Sequence, residues 1–481
     1  LHSQDSRRIT ENSYFTHVCL RRQTMQSNAV LVAELRHKIQ QSFQLAKQYD
    51  WLIDSYVLDF YVDNHWDRLP ASWNSCFEQL EISQLQSLLT VELKSTECHV
   101  WPLSILASRV LLGNLCLSRK LPPDEEPERE PKEQSRFRER QKLFNKSVKL
   151  KKRHEIEQFS RQCWESIRKT GVEHLVDIGS GQGNLARTLA YGFDFNVCCI
   201  EQNEDLVATA RQKDEELSSR LKRQVKVADL KHPVHLSKKV NLEDVDPGQF
   251  AQMIRDTFNV EKNSPFQYGL VGLHPCGDLA TSLIKLFLAC PEAKFIKLVC
   301  CCYMKLSTEQ DRCQNYGFPL SSFSKQIGLN LSYEAREIAC HAIEQYDAKL
   351  EHNFEELKVH AFRAALEKVL IQIDPALKHS GIKSTKVTNL TFQQYCERAT
   401  SGMGITLPRE LMDSEDTRTN LANWRRVVKF YTLRLMFAPL VESIILYDRW
   451  LFLLEKGVDS DIRVIFDPIC SPRNHAITGR K

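Results

Sequence analysis

The sequence predicts an α/β protein: an open, mostly parallel sheet, preceded by a helical domain and interrupted by a helical insertion. Three observations point there. From Glu173 onward, short apolar runs alternate with amphipathic stretches, and such alternation implies parallel strands joined by right-handed crossovers. Three glycines, Gly179, Gly181 and Gly183, follow the first of those runs at a spacing of two. The chain closes on a long apolar helix followed by two strand-like stretches, "RVIFD" and "NHAITGR".

Residues 28–118 carry apolar side chains at spacings of three and four, the helical period, so 1–118 is expected to be a mostly helical domain. Segment 119–153 opens on the proline- and charge-rich "RKLPPDEEPEREPKE" and ends in a basic run from Arg136 to Arg153. It reads as a linker or exposed loop leading into a charged helix face or a phosphate-contacting patch. Residues 154–303 supply the first part of the α/β core. Strands are expected at Leu175–Ile178, Asn196–Ile200, Gln224–Val227, Gly269–Leu273 and Phe295–Cys302, with helices over Leu185–Tyr191, Asp205–Leu217 and Leu279–Leu288. Residues 304–425 turn helical and charged and read as an insertion, and 426–481 return to the core with the last helix and a β-hairpin.

With 481 residues and 42% apolar content the chain fills two or three cores. A net charge of only +4 excludes any global argument for nucleic-acid binding, so a basic surface must be local. The sixteen cysteines include Cys198–Cys199 and Cys300–Cys301–Cys302 inside apolar segments. These runs are expected to be buried thiols on strands, in a reduced intracellular protein of the cytoplasm or nucleus. The chain as given opens on Leu1, with no secretory leader expected there. Phe430–Leu454 is apolar enough to suggest a membrane span, yet it holds Arg434, Glu442, Asp448 and Arg449. Each charge at a bilayer centre costs about 2.5–3.5 kcal/mol. A buried amphipathic helix, broken near Pro439, is therefore expected instead of a span.

The glycine junction carries the chemistry. Asp177 ends the first strand in "VDIGSGQG", and Gly179, Ser180, Gly181 and Gly183 form a loop whose backbone amides approach a ligand closely. The two-by-two spacing differs from the dinucleotide pattern. Glu201, expected at the second strand's end, is placed to accept the hydroxyls of a ribose, and Asp229, in "VKVADL" at the third, an adenine amino group. The set fits an adenosyl ligand without a pyrophosphate.

These residues resemble the class I S-adenosylmethionine-dependent methyltransferases, which implies S-adenosyl-L-methionine as cofactor and a Rossmann-like seven-stranded sheet whose last strand is antiparallel. "GLHPCGDLATSLIKLF", "VCCCYMKLS", "LKKRHEIEQFS" and "APLVESIILYDRWLFLLEKG" look like the methyltransferase-like protein 25 family, nearest to its branch named ribosomal RNA adenine dimethylase domain-containing protein. Adenine-amino methyltransferases carry Asn/Asp-x-Pro-aromatic after the fourth strand. This chain reads Leu273-His274-Pro275-Cys276 there, a departure that argues against a base amino acceptor.

His274 is the expected general base, with Asp278 orienting it. In the alternative, Asp278 caps the next helix and His274 only lines the cofactor. Tyr303 is the expected substrate wall. His274, Cys276, Cys300 and Cys302 fit no standard zinc spacing, so no metal is assigned. The function expected is methyl transfer to RNA, contacted through the Arg136–Arg153 run. Protein methylation, or a non-catalytic S-adenosylmethionine-binding scaffold or sensor, are the alternatives. Oligomeric state is not assigned.

Overall fold

The computed structural model describes residues 28–90, 99–122, 148–225, 230–239, 246–311 and 315–481. Seven strands form one sheet: β1 His174–Ile178, β2 Asn196–Glu201, β3 Val234–Ser237, β4 Tyr268–Gly272, β5 Ala293–Leu298, β6 Asp459–Val464 and β7 His475–Arg480. Their order is β3-β2-β1-β4-β5-β7-β6. The first five run parallel, while β7 is antiparallel to both β5 and β6. The chain reverses its direction of winding beside β1, and the crevice at such a switch point, beyond the strands' carboxyl ends, is where open α/β sheets bind ligands.

Both faces of this sheet are covered, which is why its inner strands read as continuous apolar runs. Val176, Cys198, Leu270 and Ile296 face one apolar core, shared with helices of the amino-terminal region and of the insertion. Leu175, Cys199, Val271 and Phe295 face the other, packed under the helix Leu150–Thr170. The neighbours Cys198 and Cys199 thus point to opposite faces, as the strand period requires.

Two expectations need correction. The third strand is not Gln224–Val227: the helix Glu204–Val225 runs through its start on a series of good helix formers, and β3 begins only at Val234. Asp229 lies outside the described residues. The fifth strand stops at Leu298, so Cys300–Cys301–Cys302 leave the sheet and turn through a loop.

The apolar segment is a helix pair, Trp424–Leu435 and Ala438–Glu455, with Pro439 in the first turn of the second, where its missing N–H costs nothing. The pair is buried within the protein. Arg449 lies over the Tyr303 ring at 6.0 Å, with no hydrogen-bond partner on its guanidinium nitrogens among the described residues, while Arg434, Asp448 and Glu442 are hydrogen-bonded. Arg434 donates to the carbonyls of Ile53 at 3.0 Å and Glu334 at 2.8 Å. Asp448 accepts the Leu320 and Ser321 amides at 2.7 and 3.0 Å. Glu442 accepts the Tyr303 hydroxyl at 3.0 Å and pairs with Arg119. Replacing Glu442 with Ala would strand that hydroxyl and part of the Arg119 charge. Breaking such a buried pair costs about 3–5 kcal/mol. Urea unfolding of Glu442→Ala at neutral pH is expected to show that loss, and Glu442→Gln a smaller one.

Candidate active site

The loop after β1 is fixed from three sides. Gly183 adopts φ +69°, and a Cβ there would come within 2.8 Å of His235 Cε1, so no other residue fits. Beneath it lies a buried polar knot. Arg187 donates to Asp214 Oδ1 at 2.8 Å and to Asn184 Oδ1 at 2.8 Å, and His235 Nε2 bonds Asp214 Oδ2 at 2.6 Å. A Cβ on Gly179 would meet Leu279 at 3.2 Å, whereas one on Gly181 would meet nothing within 4 Å. Gly181 therefore borders open space.

The Gly181 N–H donates to Glu201 Oε2 at 3.0 Å, and the Asn203 N–H to Glu201 Oε1 at 3.1 Å. This ties the loop to the end of β2 and leaves each carboxylate oxygen a further lone pair. Ser180 Oγ is buried without a partner. Asp177 is buried, and loss of water pushes its carboxyl up to about 7, against the pull of the Lys152 ammonium. Ser237, at the end of β3, stands in register with Glu201. An open cleft of about 840 Å³ runs from there, lined by His235, Ser237, Lys238 and Met253.

The segment after β4 places His274, though not as expected. His274 Nε2 lies 3.1 Å from Glu155 Oε2. Glu155 also accepts the Ser471 hydroxyl at 2.8 Å, with the Lys151 and Lys152 ammonium groups each at 3.9 Å. Burial raises the Glu155 carboxyl, but the bonds from His274 and Ser471 and the Lys152 charge outweigh it and leave Glu155 below the usual range. An ionised carboxylate only accepts, so His274 donates from Nε2 to Glu155, which leaves Nδ1 facing away from that carboxylate.

Asp278 does not orient His274. Its Oδ1 accepts the Ser307 N–H at 2.9 Å, anchoring the following loop. Gly277 has φ +54°, and a Cβ on it would meet the Lys305 carbonyl at 2.6 Å, so "CGD" is a backbone requirement. Tyr303 does not wall the cleft either, since it is buried with its hydroxyl on Glu442. The site thus brings together Asp177, Ser180, Gly181, Glu201 and, through Lys152 and Glu155, His274. Of the basic run, Lys149 onward enters the helix Leu150–Thr170, while Arg136 to Ser147 lie outside the described residues.

Sequence reasoning missed Glu155, Asp214 and His235. For two of them a signal was present. Glu155 stands four residues before the buried Phe159, and Asp214 between Ala210 and Leu217, on the apolar stripes of their helices. A carboxylate on such a stripe demands a buried partner.

A parallel sheet closed by an antiparallel seventh strand, with a glycine loop and an acid at the end of β2, defines the class I methyltransferase fold. Residues 151–309 match the family model described as "Methyltransferase domain". Within that class the similarity is to methyltransferase-like protein 25, whose mouse and human forms are homologues of this chain. The mouse protein, "Probable methyltransferase-like protein 25", is 31% identical over 228 residues, 44% of this chain and 37% of that protein. The human protein of the same name is 30% identical over 223 residues, 44% of this chain and 36% of that protein. The matches thus span just over a third of those relatives' length. Among solved structures, the plantazolicin methyltransferase BpumL in complex with SAH aligns at 12% identity and TM-score 0.20, over 62% of this chain and 86% of that one. Coclaurine N-methyltransferase bound to N-methylheliamine and SAH aligns at 10% and 0.23, over 94% and 99%. At those scores the fold assignment rests on strand order.

A buried carboxyl whose pKa is raised on folding binds its proton more tightly in the native state, so its ionisation opposes folding as pH rises from about 4 to about 7. Asp177→Asn is therefore expected to stabilise the ligand-free protein at pH 8. The gain should shrink by on the order of 2 kcal/mol at pH 5. Denaturant titrations of both forms at the two pH values check this.

Proposed function

We propose that this chain is an S-adenosylmethionine-dependent methyltransferase acting on RNA. The observation that carries the reading is the bond from the Gly181 amide to the Glu201 carboxylate, which joins the glycine loop to the end of β2 as one cradle. The residues present fit the cofactor. Glu201 keeps lone pairs for two hydroxyls, Ser180 Oγ is an unused buried hydroxyl, and Gly181 borders open space. Asp177 and Lys152 place a carboxyl and an ammonium beside the loop. When bound, the cofactor supplies an electrophilic methyl group on a sulfonium.

The chain's own residues do the rest. Glu201 and the loop amides hold the nucleoside, and β3's end at Ser237 and Lys238 borders it on the cleft side. His274, with Glu155 on Nε2, offers Nδ1 to remove the acceptor's proton. A hydroxyl acceptor needs such a base, and the Leu-His-Pro-Cys sequence offers no asparagine or aromatic for a base amino group.

RNA as acceptor is supported by position. The basic run leads directly into the helix that carries Lys151, Lys152 and Glu155, so phosphates bound along it would deliver the strand to His274.

Calorimetric titration with S-adenosylmethionine tests the cofactor. One site per chain is expected, and Glu201→Ala should lose about 1.5–3 kcal/mol, the range for bonds to a charged group. Equal affinity in both forms would sink the assignment. Turnover, followed with labelled donor on total RNA and on cell protein, should mark RNA. His274→Ala should then lower kcat by about 10²–10⁴ while leaving cofactor affinity intact. Label in protein alone would replace the RNA reading.

Arg136, Arg138 and Arg140 changed together to Gln should weaken RNA binding without regard to sequence. Each lost phosphate contact flattens the slope of log affinity against log salt by about 0.7 for a single strand. An unchanged slope would remove the basic run from RNA contact.

A further inference from the structure

Three cysteines meet beyond the carboxyl ends of β4 and β5. The Sγ atoms of Cys276, Cys301 and Cys302 all lie within 4.8 Å of one another. Cys276 Sγ and Cys301 Sγ are 3.3 Å apart, and all three are free thiols.

The backbone makes this convergence. Cys276 and Cys301 form an isolated parallel bridge past the ends of their strands, and the Gly277 N–H donates to the Cys301 carbonyl at 3.3 Å. Neighbours on an extended chain point apart, yet Cys301 and Cys302 point at one place. They do so because Cys302 adopts φ 50° and ψ 52°. That left-handed conformation is unfavourable for a residue with a side chain. Glycine would remove the cost and also the sulfur.

We propose that Cys276, Cys301 and Cys302 are the protein ligands of a thiophilic divalent cation, zinc foremost, whose fourth position is open to water. The dimensions suit it. Zinc–thiolate bonds of about 2.3 Å in a tetrahedron set sulfurs about 3.8 Å apart, between the closest separation here and the outer bound of the triangle. A disulfide joins two sulfurs and leaves the third unused. Three thiolates on a divalent ion carry one net negative charge, and cations stand near: Lys305 acts on Cys276, and Lys152 on Cys301.

The ligand set is asymmetric in exposure. Cys301 is buried, Cys302 half-buried and Cys276 exposed. One flank is therefore solvent-facing, the arrangement of zinc sites that keep three protein ligands and one exchangeable position. It opens two residues from His274, on the same edge of the sheet as the glycine loop. The pattern was invisible to spacing because its ligands come from two loops that only the β4–β5 pairing brings together.

Metal analysis of the full chain, purified with reductant and without chelator, then loaded with zinc chloride and desalted, tests the proposal. About one zinc per chain is expected. Loading with cobalt(II) should give the thiolate-to-cobalt charge-transfer absorption of a thiolate-rich tetrahedral site. Cys276→Ser and Cys302→Ser should each abolish stoichiometric zinc, while Cys470→Ser, a thiol away from the cluster, should retain it. Cys276 is exposed, so its serine variant should melt as the wild type does, which separates lost metal from lost fold.

Absence of zinc and of the cobalt band in the wild type would overturn the site, as would equal zinc in the double variant Cys276→Ser, Cys302→Ser. A Cys276–Cys301 disulfide in protein alkylated at cell lysis would overturn it in favour of a redox pair. Cofactor affinity is a separate readout. Its loss would count against the methyltransferase reading and not against the metal.

Discussion

A carboxylate almost without access to water holds the parts of the site together. Glu155 is 2% exposed, and its bonds reach His274 after β4 and Ser471 in the β6–β7 loop. No backbone ladder joins these segments where they meet over the sheet's edge. Desolvating the charge is unfavourable, and only the full set of donors offsets it. The set is satisfied with the helix Leu150–Thr170 packed on the sheet face, its first turns beside the carboxyl end of β4, and the histidine ring turned to present Nε2 to Glu155. The same helix brings Lys152 between Asp177 and Cys301. The orientation of the His274 ring and the seating of the Ser471 loop thus follow from one buried residue.

How far the sequence could be read depended on the range of the interaction. β1, β2 and β4 were legible because a strand buried on both faces is an apolar run, and the glycine loop because backbone conformation is written in residue type. β7 was legible from its position after the last helix. β3 was not, because Gln224 and Val225, which open a stretch with a strand's alternation, are the last residues of the helix Glu204–Val225. Asp278 and Tyr303 were chosen for their chemistry at a promising address. Each is spent on partners distant in sequence, Ser307 and Glu442, which no local pattern announces. Glu155 and Asp214 could have been found as acids on apolar stripes, while His235 depends on a tertiary approach to Gly183 that spacing does not encode.

The helix pair Trp424–Glu455 shows a related economy. Its hydropathy matches that of a membrane span, but three of the charges within it each reach a different part of the protein. Arg434 reaches Ile53 of the amino-terminal region and Glu334 of the insertion, Glu442 reaches Arg119, and Asp448 reaches the amides of Leu320 and Ser321. An apolar helix studded with charges at long intervals is the mark of a central strut, apolar because it is surrounded and charged because it must be addressed.

The place of β7 has a consequence for how the molecule comes into being. It lies between β5 and β6, antiparallel to both, although the whole insertion and the helix pair separate it from β5 in the chain. During synthesis the first five strands emerge long before it. Until residues 475–480 arrive, the backbone of β5 presents an open row of amides and carbonyls along an apolar strand, a template for pairing with any other extended chain. The nascent protein therefore passes through an interval of adhesive vulnerability as long as the translation of its insertion, and its solubility in that interval depends on whatever shields the edge of β5.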